Sequence, residues 1–164
     1  MTVPFDARFY GRPITLQYAR NLLDTAGNQA HAATFIRERR MVLDQDLRRN
    51  PQEHKRILTH ELFHFVWVRL GNPKRLTWEA LLQTELTARV RGETGWSAEL
   101  RKLALTSADP RHRTRKWREY CCEAFCDTAA ALETNVRTEV TLAGKYLATR
   151  RRWFAEQLAD QFPI

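Results

Sequence analysis

The sequence predicts an α+β fold, mostly helical, with a small sheet placed ahead of one buried central helix. Three observations carry that prediction. Asn50 to Gly71 has helix punctuation at both ends of a run that is apolar around much of its circumference. Just upstream, Thr34 to Leu43 sets Phe35, Ile36, Met41, Val42 and Leu43 among charged residues, which suits a strand better than a helix. Downstream, Thr114 to Leu132 draws on Ala, Glu, Arg and Leu and reads as a second long helix.

Taken in order, Ile14 to Ala26 is expected to form a first helix, ended by Gly27-Asn28-Gln29. The strand at 34–43 follows. Asn50 then reads as an N-cap, Pro51 occupies the first helical position where its missing N–H costs nothing, and Glu53 stands at the capping-box position. Gly71 and Pro73 read as the stop. Further helices are expected at Thr77–Val90 and, with Ser97 as cap, through Leu105. Asp109-Pro110 marks a turn before the helix at 114–132. Val136 to Leu142 reads as a short strand, and Tyr146 to Phe162 as a final amphipathic helix.

With 164 residues, 43% of them hydrophobic, the chain suits a single domain spanning 1–164 with enough material for one core. No stretch approaches the ~20 uninterrupted apolar residues of a membrane span, and the N-terminus lacks a sustained apolar segment. A soluble, cytoplasmic protein is the resulting expectation. Three cysteines, Cys121, Cys122 and Cys126, with no C-x-x-C pair, fit a reducing compartment and small buried packing roles. Cys122 and Cys126 share a helix face, and Cys126 lies one turn from Glu123. The net charge of +8 gathers in clusters at 37–40, 111–118 and 150–153 that attract anions. No nucleic-acid-binding signature accompanies them, so solvated surface is the leading reading and nucleic-acid binding the lesser one. Trp67, Trp78, Trp96 and Trp153 are expected to pack rather than to stack on a ligand.

Chemistry concentrates in His60-Glu61-Leu62-Phe63-His64. Two imidazoles four residues apart on a helix point the same way and can share one metal ion, while the carboxylate between them stays free to accept a proton from water. Buried imidazole and carboxylate groups need partners, and a metal supplies them. The plainer alternative is a pair of core histidines bonded to backbone, with Glu61 in an ion pair.

Catalytic zinc commonly takes three protein ligands and leaves a position open. The best third candidate is Glu123, with Asp127 four residues on and facing the same way, able to accept the spare N–H of a ligating histidine. Glu119, His112 and a cysteine are the competing third ligands. H-E-x-x-H on one helix followed by E-x-x-x-D on a later one resembles the gluzincin branch of the zinc metallopeptidases, in a compact, minimal, zincin-like form. The resemblance implies His60, His64 and Glu123 as ligands of one zinc ion, Glu61 as general base, and Asp127 as the partner of His60. It covers these two motifs only. The extended metzincin pattern is excluded, because it needs glycine at position 67 and histidine at position 70, where the chain has Trp67 and Leu70.

The function expected from this is peptide-bond hydrolysis on a peptide or protein substrate. In zincin-like peptidases an edge strand near the metal pairs with an extended substrate, a role the strand at 34–43 can fill. His112, Tyr120 and Tyr146 are candidate donors to the oxyanion, and spacing selects none of them. Two further readings stand beside the hydrolase: a noncatalytic zinc-stabilised binding module, and a basic nucleic-acid-binding protein. Oligomeric state is open.

Overall fold

The computed structural model describes residues 8–23, 27–158 and 161–164. Its architecture is α+β, dominated by helices with a small sheet at the N-terminal side. β1 (Phe9–Tyr10) is short; β2 (Thr15–Ala19), β3 (Ala32–Phe35) and β4 (Arg40–Asp44) form a three-stranded sheet in the order β2-β4-β3. β2 runs parallel to β4, and β3 antiparallel to it, with Ala33 opposite Val42 and Thr34 opposite Met41.

Two expectations fail in this region. The stretch read as a first helix is the strand β2, and Asp24 to Ala26 of that reading lie outside the described residues. Ile14 and Leu16 are buried while Thr15 and Gln17 are exposed, the alternation of a half-buried strand. The single strand expected at 34–43 is a hairpin instead, turning at Ile36–Arg39 with Arg39 at a left-handed φ of 50°. No glycine, proline or asparagine announces that turn.

α1 (Pro51–Arg69) begins as its punctuation requires. Asn50 Oδ1 accepts from the Glu53 N–H at 3.3 Å, but the Glu53 carboxylate turns to Arg56 rather than back to the cap, so only half of the capping box forms. Gly71 and Pro73 end α1 and also open α2 (Asn72–Thr87), which therefore starts at Asn72 and not at Thr77. α3 (Trp96–Leu103), α4 (Ala108–His112), α5 (Arg115–Thr134) and α6 (Gly144–Leu158) follow. α5 is capped by Thr114, whose hydroxyl accepts from the Trp117 N–H. β5 (Phe162–Pro163) pairs in parallel with β1 and carries the chain end back to its start. The expected last helix thus stops at Leu158, with 159–160 outside the described residues. No strand forms at 136–142: the Thr141 and Leu142 N–H groups both donate to the Glu93 carbonyl, at 2.9 and 3.0 Å, and dock the segment as a loop.

The core has α1 in its middle. Ile14, Leu16, Met41 and Leu43 cover it from the sheet side, and Trp78, Phe125, Trp153, Phe154 and Phe162 gather with Phe63 on the other. Trp78 and Trp153 are core residues as expected, whereas Trp96 is 64% exposed. α5 is the main partner of α1. Its buried Ala124, Ala129 and Ala130, with Cys121 and Cys126, are small, which lets the two helices approach closely. A buried ionic cluster joins the helical elements: Arg150 of α6 donates to the carboxylates of Glu85 and Glu93, Lys102 pairs with Glu93, and Tyr120 donates to Glu93 at 2.5 Å. Among the described residues no helix is long and apolar enough to cross a membrane.

Candidate metal centre

The contact of α1 with α5 brings the two sequence motifs together. Ligand atoms of His60, His64 and Glu123 all lie within 4.8 Å of one another. His60 uses both ring nitrogens: Nε2 is 3.2 Å from Glu123 Oε2, and Nδ1 is 2.7 Å from Asp127 Oδ1. The rings of His60 and His64 meet edge to face with centroids 5.0 Å apart. Zinc bonds of about 2.0–2.1 Å to nitrogen and oxygen put tetrahedral ligands roughly 3.3 Å apart, so the His60 to Glu123 spacing fits the edge of such a tetrahedron. It is longer than the ~2.7–2.9 Å usual for a charge-assisted N–H to carboxylate bond. Two imidazoles and a carboxylate are also the donor set of a hydrolytic zinc site, and on these grounds the residues fit the ion.

Asp127 is 2% exposed and holds two elements at once. Oδ1 faces His60, while Oδ2 accepts the N–H of Ala98 at 2.9 Å, in the first turn of α3. α3 has no side-chain cap of its own; its N-cap is Gly95, and a carboxylate reaching over from α5 takes that place. Only glycine permits it. A Cβ built on Gly95 would stand 2.4 Å from Asp127 Cγ and 2.6 Å from either carboxylate oxygen. Gly95→Ala is therefore expected to push Asp127 off His60, costing about 1–3 kcal/mol of stability as overpacking and about 10–100-fold in affinity for a metal ion added to the His60, His64 and Glu123 donors. Competition titration against a chelator checks it, and unchanged affinity would show that Asp127 does not set the orientation of His60.

Glu61 is not among the converging donors. Its Oε2 accepts the Thr34 hydroxyl at 2.6 Å, which ties the carboxylate to strand β3. The cleft over the site has a volume of about 440 Å³ and is lined by Ala32, Ala33 and Thr34 of β3, by Ile36, Trp67 and Val68, and by Ser97 and Arg101 of α3. Arg101 also pairs with Glu123 Oε1 at 3.4 Å and is 40% exposed. Among the described residues β3 has β4 on one side and no strand on the other, so the cleft runs along a free sheet edge.

Sequence reasoning brought His60, Glu61, His64, Glu123 and Asp127 into one place, and the structure has all five there. Two of the competing ligands fall away: Glu119 is exposed and paired with Arg115, and His112 is exposed at the end of α4; the third, a cysteine, does not, since Cys122 and Cys126 converge on His64. Of the three candidate oxyanion donors none lines the cleft, and Tyr120 is buried with its hydroxyl committed to Glu93. Thr34, Ser97 and Arg101 were missed. Nothing local marks them, because each reaches the site only through tertiary packing.

The cysteines divide. Cys121 is buried in the core, its carbonyl accepting from Trp78 Nε1. Cys122 and Cys126 instead place their sulfurs 3.4 and 3.5 Å from His64 Nδ1, which leaves Nε2 as the nitrogen of His64 not facing thiols.

Electrostatics follow from a cluster of buried anions. Burial opposes charge on His60, but Asp127 and Glu123 overcome it and hold the imidazole well above its usual range. Burial likewise opposes charge on His64, yet Cys122 and Glu123 raise it to about 9. The Cys126 thiol, and then His64, draw Cys122 down to about 6. Glu123 is pushed up by burial and pulled further down by the His60 bond and both imidazoles, to about 2.

In metal-free protein these shifts fix a stability profile. His60, raised on folding, contributes stability that is full below pH 6.5 and is lost as pH rises above it. His64 loses its share as pH climbs through about 9, while the depressed Cys122 gains over the same interval, so this pair leaves stability flat between them. Glu123, depressed, contributes above 4.5 and loses that contribution as pH falls through about 2. The melting temperature of chelator-treated protein is expected to fall as pH rises past 6.5. Zinc-loaded protein should lack that fall, since a cation replaces the proton on His60.

Comparison of the chain with protein-family models, with curated proteins and with solved structures finds no match in any of the three.

Proposed function

We propose that this protein is a zinc-dependent peptidase of minimal, gluzincin-like and zincin-like form, with His60, His64 and Glu123 holding the ion. The observation that carries the reading is the convergence of those three donors beside an unligated carboxylate, Glu61, in a cleft open along a free strand edge. When bound, zinc supplies Lewis acidity, which acidifies water and polarises the scissile carbonyl.

The chain's own residues do the rest. Glu61 accepts a proton from the attacking water and returns it to the leaving nitrogen, and the Thr34 hydroxyl at 2.6 Å holds the carboxylate in position for both transfers. Asp127 fixes the tautomer of His60 by accepting from Nδ1, leaving Nε2 for ligation. Strand β3 offers main-chain hydrogen bonds to an extended peptide, a mode largely indifferent to side-chain identity. Ile36, Trp67 and Val68 form an apolar wall for a neighbouring side chain, and Arg101, a cation lining the cleft beside Glu123, meets charge developing on the carbonyl oxygen.

The test is cleavage of a peptide library, followed by mass spectrometry, with protein as prepared, after chelation, and after zinc is restored. Cleavage that disappears with the chelator and returns with zinc supports the reading. Cleavage indifferent to chelation, or no cleavage by zinc-loaded protein, removes it.

A further inference from the structure

Behind the hydrolytic set, a second group of donors converges: His64, Cys122 and Cys126, whose ligand atoms also lie within 4.8 Å of one another. Cys122 and Cys126 are one turn apart on α5 and so present both sulfurs on the same face. Each sulfur approaches the same atom, His64 Nδ1, at 3.4 and 3.5 Å. One ring nitrogen has either one lone pair or one proton to offer, so it bonds one sulfur well, and the other sulfur turns to its neighbour, Cys126 bonding to Cys122. A cation among the three satisfies all of them. Bonds of about 2.3 Å to sulfur and 2.0–2.1 Å to nitrogen place tetrahedral N and S ligands roughly 3.5 Å apart, the spacing that both sulfurs hold.

We propose that Cys122, Cys126 and His64 Nδ1 form a second cation site, selective for a thiophilic metal. The first site is built from nitrogen and oxygen and this one has two sulfurs, so softer cations sort to it. Binding a divalent ion releases two protons to solvent, one from the Cys126 thiol and one held by the Cys122–His64 pair, and two thiolates with a neutral imidazole leave the assembly uncharged, as a buried location demands. Cys122 lines the 440 Å³ cleft, which gives the ion a route in, and buried Cys126 closes the site from behind. Cys121 takes no part: it is fully buried, diverges from Cys122 by about 100° around the helix, and is outside the converging group.

The site shares only His64 with the peptidase reading: a neutral imidazole has one lone pair, so a cation on Nδ1 takes Nε2 out of the first site and the two sites fill as alternatives. Cadmium(II) is the probe, titrated into metal-free full-length protein and followed by the thiolate-to-cadmium absorption in the ultraviolet. That absorption is expected to saturate at one equivalent in wild type, in Glu123→Gln and in Cys121→Ser, and to vanish in Cys122→Ser and in Cys126→Ser. Cadmium NMR of the wild-type complex tests the same point without any substitution, its chemical shift reporting two sulfur donors. No thiolate absorption in folded wild-type protein, absorption that survives both serine variants, or a shift without sulfur donors would each overturn the proposal. Loss of peptide cleavage alone leaves it standing, so the two readings fail separately.

Discussion

Replacing Glu61 by Gln is expected to lower kcat on a cleaved peptide by about 10²–10⁴-fold, the usual contribution of a general base, while zinc content stays at the wild-type level. The expectation rests on two features of the same side chain. Glu61 is outside the set of converging donors, so its loss removes no ligand. Its carboxylate accepts from Thr34, and a glutamine amide oxygen can accept the same bond, so the side chain keeps its place and loses only its basicity. Elemental analysis reads the first half and steady-state kinetics the second. Equal turnover by the variant would take the base out of the mechanism; loss of zinc together with activity would move Glu61 into the ligand set.

Arg150→Ala is expected to cost about 3–5 kcal/mol of stability, which for a domain of this size lowers the melting temperature by roughly 6–20 °C. Arg150 is fully buried and its guanidinium spans Glu85 of α2 and Glu93, with Nη1 also reaching Thr94 and Thr128. Removing it strands two carboxylates where water cannot reach them. Arg150→Lys keeps the charge without the planar fork and should fall between wild type and alanine. Thermal melts settle both, and an alanine variant as stable as wild type would show that Lys102 and Tyr120 suffice to hold Glu93.

The parts legible in the sequence are those written locally. The spacing of His60 and His64, and that of Glu123 and Asp127, each describe one face of one helix, and Asn50-Pro51 announces the start of α1 in residues that are adjacent. Their meeting was legible as an expectation, from the ligand number of catalytic zinc and from resemblance to a family. The failures are nonlocal. Ile14, Leu16 and Tyr18 alternate with polar residues, but Leu22 and Leu23 extend a helical spacing, and the parallel pairing of β2 to β4 that decides between them lies more than twenty residues away. At 136–142 the β-branched residues found no strand to pair with, and the segment is docked instead by Thr141 and Leu142 on the Glu93 carbonyl. Cys122 and Cys126 were read as packing because composition cannot say what a small side chain faces; their neighbour, His64, sits on a different helix.

The double grip of Asp127 has a mechanical consequence. α3 carries Ser97 and Arg101 into the cleft, and its first turn is tethered through the Ala98 N–H to the carboxylate that steers His60. That wall cannot swing outward to admit a bulky guest without either orphaning a peptide nitrogen or twisting an imidazole. The width of the cleft is thus bolted to the orientation of His60, and what the cleft admits is decided by the side chains that line it.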